Sequence, residues 1–493
     1  MSAAHAFDSR PPRRRWILFA FGLGLSTSAL TLVARPSSAA SPPNVVLIVV
    51  DTLRADALGS YGAEVRTPAI DAIAAAGLRY SRAVAQAPWT VPSLSSLLTS
   101  QYPSQHGEGA RVSAASEAGE TLAERLRARG YATAAFVEVD TPLLRRGFDS
   151  FEVATGTTEE RYARAAENAS HLTFDRAREW LRADLRQPFF LMVHTFALHD
   201  YFLGAPPALE YARRHYPDYD GPLRRWRPRP VAEAAGPKIV EDLLASDAAD
   251  VRFARALYQG ALLEVDREIG RLDAVLAEQD RQRSTLVVLT SDHGEGFAPE
   301  LGRVHHGGRL HDDLLHVPLI LRWPAEIEAG VEETQVESID VAPTVLALAG
   351  AAGAESRKPS RSRSQMNGRA LLRRAAVDGG SGPAFEPTDD APALAFAEES
   401  AFVTLADGRR EPSDRRQVAL YEGTRKIIRS DASDEVYDLA SDALERRDLS
   451  GSDPLLRARL TAELDRVEGS LGTTTRKDPR EVERTLRALG YVE

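Results

Sequence analysis

Two acidic side chains stand at the ends of apolar runs: Asp51 closes "NVVLIVVD", and Asp292 closes "STLVVLTSD" with His293 and Gly294 directly behind it. A β-branched run of this kind reads as a strand buried on both faces of a parallel sheet, and such sheets gather functional groups in the crevice beyond their carboxyl ends. One such Asp alone is as readily a turn cap. Two of them, one beside a His, offer two carboxylates and an imidazole, a donor set suited to Mn²⁺, Mg²⁺ or Zn²⁺ and less to Ca²⁺.

A fourth donor is available in "APWTVPSLSSLLTSQYPSQHG". Thr90 stands just before Pro92, a residue favoured in a first helical turn, so its hydroxyl falls where helix N–H groups and the macrodipole meet an anion. On a divalent cation that hydroxyl ionises more easily and becomes a nucleophile. The plain alternative is that Thr90 is an N-cap. Arg54, three residues after Asp51, also has two readings: help for a developing oxyanion, or an ordinary ion pair.

These residues need a sheet to hold them. "ATAAFV", "FFLMVHT" and "VPLILRW" read as further strands, while "TPAIDAIAAAG" and "ETLAERLRARG" read as helices that stop at Gly77 and Gly130. The βα alternation predicts an α/β fold, a central mostly parallel sheet flanked by helices. A long helix is expected in "ALYQGALLEVDREIGRLDAVLAEQ", where Leu257, Leu262, Val265, Ile269, Leu272 and Leu276 recur at helical spacing. Two stretches look inserted: Pro206 to Asp250, rich in Pro, Arg and Tyr, and Gly353 to Pro392, which contains "SRKPSRSRSQ" and "DGGSGP". Beyond them, "QVALYEGTRKIIRS" and "DEVYDLASD" predict short antiparallel strands and a last helix. The expected division is a catalytic domain over 41–352, a flexible linker or insertion over 353–392 and a small α+β subdomain over 393–493. Tyr437, Asp438 and "ALERRDLS" are expected to dock that subdomain.

Composition narrows the function. With 493 residues, 43% of them apolar, the chain can bury a large core. It has no cysteine, which removes thiolate ligands and thiol nucleophiles together. Lys and Arg number 61 against 71 Asp and Glu, a net charge of -10 without a basic stripe past the N-terminus, so nucleic acid is not an expected partner. Arg10 and Arg13 to Arg15 precede "WILFAFGLGLSTSALTLVA", and Ser38 and Ala40 follow at the spacing of a cleavage site. Residues 1–40 are thus expected to be an export signal, by the general or the twin-arginine route. Gly22 and Gly24 dilute the apolar run and favour cleavage over a retained membrane anchor, so the protein is expected in the periplasm or outside the cell.

From Asn44 to about Ser450 the sequence resembles the sulfatase family of the alkaline phosphatase superfamily. The likeness rests on "NVVLIVVDTLRAD", "TPAIDAIAAAG", "TVPSLSSLLTSQYPSQHG", "FFLMVHTFALHDYF" and "YQGALLEVDREIGRL". It continues, in family order, through "LTSDHGEGF", "HHGGRLHDDLLHVPLIL", "IDVAPTVLALAG" and "EVYDLASDALERRDLS". The resemblance implies the alkaline-phosphatase-like version of the α/β fold. It also implies that Asp51, Asp292 and His293 bind the metal, that Thr90 stands at the nucleophile position, and that His199 and His306 contact the transferring group. Within "VHHGGRLHDDLLH" the candidates are His305, His306 and His311; His306 is preferred because its His-Gly stands ahead of a Leu as in the family.

Departures from the family pattern bear on the chemistry. Sulfatases with a formylglycine nucleophile carry Cys-x-Pro-Ser-Arg, whereas this frame reads Thr90-Val91-Pro92-Ser93-Leu94, so no formylglycine is expected. Thr52 replaces a second Asp found in many sulfatases and His293 replaces an Asn, both of which argue against Ca²⁺. The Asp, Thr, Asp, His set resembles the metal-activated Thr of the superfamily's phosphodiesterases and of its phosphoglycerol and phosphoethanolamine transferases. The expectation is an exported, metal-dependent hydrolase of a phosphate or sulfate ester, on a small molecule, glycan or lipid-linked group, with phosphoester favoured. The alternatives are a transferase with the same residues and an inactive ligand-binding relative.

Overall fold

The computed structural model describes residues 42–107, 112–113, 119–154, 170–183, 187–203, 206–225, 248–350, 366–374, 385–388, 394–399, 402–404, 410–412, 416–431, 433–471 and 475–476. The expected export signal, residues 226–247 of the first insertion and most of 353–392 lie outside these.

The central sheet contains β1 (Asn44–Val50), β2 (Leu78–Val84), β3 (Ala132–Val137), β4 (Ser150–Val153), β5 (Phe189–Thr195), β6 (Thr285–Thr290), β7 (His316–Arg322) and β8 (Gly330–Glu337). Their order is β8-β2-β7-β6-β1-β5-β3-β4, with β7 antiparallel to both its neighbours and the other described pairings parallel. β1 lies between β5 and β6, and its residues are 0–2% exposed. Alternate side chains explain why its run is unbroken. Val45, Leu47 and Val49 enter one core, and Val46, Ile48 and Val50 enter the other.

Helices cover each face. On one lie α1 (Pro68–Ala75) and the long α6 (Ala248–Glu278), which puts Leu257, Leu262, Val265, Ile269 and Leu272 into the core of Val46 and Ile48. α6 begins at Ala248, within the expected insertion, where Val251 and Phe253 extend its buried stripe. The same insertion also forms α5 (Pro206–His215), packed on α6 at Gly260, where a Cβ would come 2.7 Å from the Ala208 Cα.

The opposite core receives α2 (Thr90–Thr99), a helix with all ten residues buried. Several of its hydroxyls are satisfied in place: Ser93 Oγ donates to the Asp292 carbonyl at 2.6 Å and Thr99 Oγ1 to the Ser95 carbonyl at 2.6 Å.

The expected C-terminal subdomain is a four-stranded antiparallel sheet, β9 (Leu394–Glu399), β10 (Gln417–Glu422), β11 (Arg425–Arg429) and β12 (Asp434–Asp438), packed by α8 (Pro454–Leu471). Within the expected flexible stretch, two short segments are described. Leu372–Arg374 pairs with Phe385–Pro387, and Leu371, Leu372 and Phe385 are buried, three apolar residues outweighing a polar surrounding sequence. No helix among the described residues is long and apolar enough to cross a membrane.

Buried charge joins the C-terminal sheet to the main body. Lys426 Nζ, with no exposed surface, lies 2.6 Å from Glu445 Oε1 and 3.1 Å from Asp312 Oδ1. Glu445 belongs to the "ALERRDLS" segment expected to dock the subdomain. A second junction is Glu337, which ends β8 and accepts from Phe396 N of β9 at 2.9 Å and from the Tyr102 hydroxyl at 3.1 Å. Burial and the neighbouring Asp340 push the Glu337 carboxyl up to about 8.

A carboxyl group whose folded value is raised makes the fold less stable as pH rises, because the unfolded chain releases that proton first. Stability in urea is therefore expected to fall by a few kcal/mol, as an order of magnitude, between roughly pH 5 and pH 8. Glu337→Gln should flatten that slope in unfolding curves collected across the same range.

Candidate active site

The strand registers bring the candidate residues together. Val49 pairs with His194 on one side and with Thr290 on the other. Asp51 and Asp292 lie two residues beyond Val49 and Thr290, so the pleat puts Asp51, Asp292 and His194 on one face of the sheet. That face is the one covered by α2.

Asp51 and Asp292 are buried, at 0% and 1% exposure, and each keeps one carboxylate oxygen, Asp51 Oδ1 and Asp292 Oδ2, without a hydrogen-bond partner. Their outer oxygens are used. Asp292 Oδ1 accepts from His293 N at 2.8 Å and Thr52 N at 3.3 Å, and Asp51 Oδ2 accepts from the Thr90 hydroxyl at 3.0 Å. Thr52 holds a left-handed backbone with φ 59°, a strained state for a β-branched residue, and it turns the chain directly after Asp51. Ser291 secures the neighbouring turn, its hydroxyl accepting from Leu53 N at 2.9 Å and donating to the Val50 carbonyl at 2.6 Å.

Thr90 is the first residue of α2 and the cap position is Trp89, so Thr90 is not the N-cap that its segment alone allows. Its Oγ1 also lies 3.4 Å from His293 Nε2. His293 Nδ1 sits 2.9 Å from the Gly294 carbonyl, which can only accept, so Nδ1 carries a proton and Nε2 is the nitrogen that faces the carboxylates. From there Nε2 is 3.7 Å from Asp51 Oδ1 and 3.6 Å from Asp292 Oδ2. Donors bound to one ion at ~2.1 Å are spaced by roughly 3 to 3.5 Å, so the set needs little adjustment to fit a divalent cation.

Electrostatics point the same way. Burial and the facing Asp292 raise the Asp51 carboxyl above its usual range. Burial would raise Asp292 too, but His293 and His194 hold it well below the usual carboxylate range. Two buried carboxylate oxygens without hydrogen-bond partners, side by side, make a place for positive charge.

His194 is a member of the cluster that sequence reasoning missed. Its Nε2 stands 3.5 Å from Asp51 Oδ2 and 3.9 Å from Asp292 Oδ2. Burial alone would lower it, but the two carboxylates raise it to about 9. The available signal was a lone imidazole in "FFLMVHT", otherwise a run of apolar residues ending in Thr.

A second group faces the first. His306 Nδ1 is 3.2 Å from Glu295 Oε2, and the His306 ring centre is 4.7 Å from His293 and 5.0 Å from His199. His199 Nδ1 pairs with Asp200 Oδ1 at 2.8 Å. Of the three candidates in the His-rich tract, His306 is the one between His199 and His293, while His311 turns to Glu435 of the C-terminal sheet at 3.4 Å. Glu295, also missed, lies between His305 and His306 and is held well below its usual range: burial would raise it, but the two imidazoles more than reverse this. Arg54 follows its ion-pair reading. Its Nε and Nη2 bond both oxygens of Asp56 at 2.8 and 2.7 Å, and Nη1 donates to the Glu295 carbonyl at 2.8 Å, anchoring that loop.

A family model described as Sulfatase matches residues 43–351. The mouse (Mus musculus) steryl-sulfatase is 31% identical over 425 residues, spanning 69% of this chain and 67% of the relative. A protein of Trinickia caryophylli named a multifunctional alkaline phosphatase superfamily protein is 27% identical, over 62% of this chain and 73% of the relative. Among solved structures, the phosphonate monoester hydrolase of Agrobacterium radiobacter superposes with a TM-score of 0.63 at 18% identity, covering 89% of this chain and all of that one, 100%. The fold is thus that of alkaline-phosphatase-like hydrolases, and the sequence match is wider than any one motif. The chain belongs to the sulfatase family.

Proposed function

We propose that this chain is a metal-dependent hydrolase of a sulfate or phosphate ester, with phosphoester favoured, in which Thr90 is the nucleophile. The observation that carries this reading is the Thr90 hydroxyl at the head of a buried helix, donating to Asp51 and 3.4 Å from His293. Asp51, Asp292, His293 and Thr90 would hold one divalent cation, Mn²⁺, Mg²⁺ or Zn²⁺ before Ca²⁺, which when bound lowers the hydroxyl's pKa and offsets charge on the transferring oxygens.

The chain's own groups account for the rest. Asp51 Oδ2 accepts the Thr90 proton and leaves the Oγ1 lone pairs for attack. The new bond joins Oγ1 to phosphorus or sulfur while the bond to the ester oxygen breaks. His306, its Nδ1 3.2 Å from Glu295 Oε2, is placed together with His199 to bind the transferring oxygens and to give a proton to the departing alkoxide. Water then attacks the same central atom, its proton passing to the now deprotonated His306, and Oγ1 departs as Asp51 returns its proton, restoring Thr90. A Thr ester cannot collapse to an aldehyde, so it must be resolved by a second attack at that atom, a route familiar at phosphorus. Leu94 in the Arg position of the formylglycine frame supports an unmodified Thr90.

Thr90→Ala should lower kcat by at least ~10³-fold on aryl phosphate monoesters, diesters or sulfates, whichever is turned over, while circular dichroism stays unchanged. Turnover equal to wild type would rule out the nucleophile. Dialysis against a chelator should abolish activity, and Mn²⁺ or Zn²⁺ should restore it better than Ca²⁺ in the same assay. The basic and apolar leader supports an exported enzyme, and intact-mass measurement of the periplasmic protein should find it beginning close to Ser41.

A further inference from the structure

His194 has no role in the chemistry above, yet its position is costly. It is 0% exposed, and neither Nδ1 nor Nε2 has a hydrogen-bond partner. Leaving a buried polar group unsatisfied costs about 1–3 kcal/mol, so such a group calls for an explanation. Its separations of 3.5 Å from Asp51 Oδ2 and 3.9 Å from Asp292 Oδ2 are long for hydrogen bonds. They match instead the 3.7 and 3.6 Å at which His293 Nε2 faces the same two carboxylates. Asp292 Oδ2, itself without a hydrogen-bond partner, is approached by both imidazoles. The strand register aims His194 at this face for structural reasons, independent of any ion. Thr52, next to Asp51, offers no competing donor, since its hydroxyl bonds to the Asp51 carbonyl at 2.7 Å.

We infer that His194 Nε2 is a further ligand of the cation, completing a centre of two carboxylates, two imidazoles and the Thr90 oxygen. The inference rests on the cation reading of the site given above. Its consequence is selectivity. A second imidazole moves the donor set away from oxygen-only coordination, favouring Zn²⁺ and other borderline transition ions and disfavouring Ca²⁺ and Mg²⁺.

The test uses the full chain, stripped of metal and reloaded with single ions. Affinities for Zn²⁺ and Ca²⁺ are measured by competition with a chromophoric chelator, and the Co²⁺-loaded protein is followed by visible absorption. His194→Phe, which keeps bulk and removes the donor, should weaken Zn²⁺ about 10- to 100-fold, change Ca²⁺ far less and alter the Co²⁺ spectrum. Unchanged Zn²⁺ affinity with an unchanged Co²⁺ spectrum overturns the inference. A second measurement needs no variant: pulsed EPR of the Cu²⁺-loaded wild-type chain should show the remote nitrogens of two coordinated imidazoles. A single imidazole overturns the ligand while leaving the cation reading intact. A wild-type chain that binds none of these ions overturns both.

Discussion

Asp51 and Asp292, both buried, repel each other at the ends of adjacent strands, and most of the site can be understood as the means of keeping them there. Adjacent parallel strands deliver the two carboxylates to one point, and the apolar side chains of β1 and β6 prevent either strand from shifting outward. The strained Thr52 turn gives Asp292 one backbone donor, and His293 N supplies another. What remains, one orphaned oxygen on each side chain, is negative potential that only a cation or a proton can satisfy. The reactive hydroxyl is tied to the same potential through Asp51, so nucleophile and electrostatic demand share a single pair of residues.

Rigidity at this centre contrasts with the way the second set of histidines is held. His306 sits on a loop between β6 and β7, after His305 in a left-handed conformation with φ 58°. The loop is fastened at three places. Arg54 grips the Glu295 carbonyl, Gln417 of the C-terminal sheet donates to the Gly308 carbonyl at 3.0 Å, and Arg303 donates to the carbonyls of Leu444 and Glu445 at 2.7 Å each. The sheet that looks accessory therefore braces the groups assigned to the transferring oxygens.

The sequence was most legible where one principle acted alone. Strands β1, β3, β5 and β6 were readable because burial on both faces leaves an unbroken apolar run, and the acids at their tips were readable as exceptions to it. β2 and β8 were not, since "LRYSRAV" and "GVEETQVE" lie away from the doubly buried centre and mix charge with apolar residues. The buried hairpin at Leu372 was masked by the Arg and Ser residues upstream of it. His194 and Glu295 escaped for a different reason: each acquires meaning only from a neighbour more than ten residues away or on another strand, and spacing along one chain does not encode that. Thr90 was legible as a chemical candidate, but its place inside α2 rather than at the cap needed coordinates.

Lys426 limits how a chain of this kind can be rearranged by recombination. It is fully enclosed and answers Glu445, which follows the C-terminal sheet, and Asp312, which precedes β7 of the central sheet. A crossover that brought in a C-terminal sheet without that lysine would leave buried Asp312 with Arg82 of the body, 3.7 Å away, as its remaining cation and would leave Glu445 without its lysine. The two parts are thus tied into one heritable block. Exchange of the C-terminal sheet between relatives should succeed only where donor and recipient already carry the matching charges.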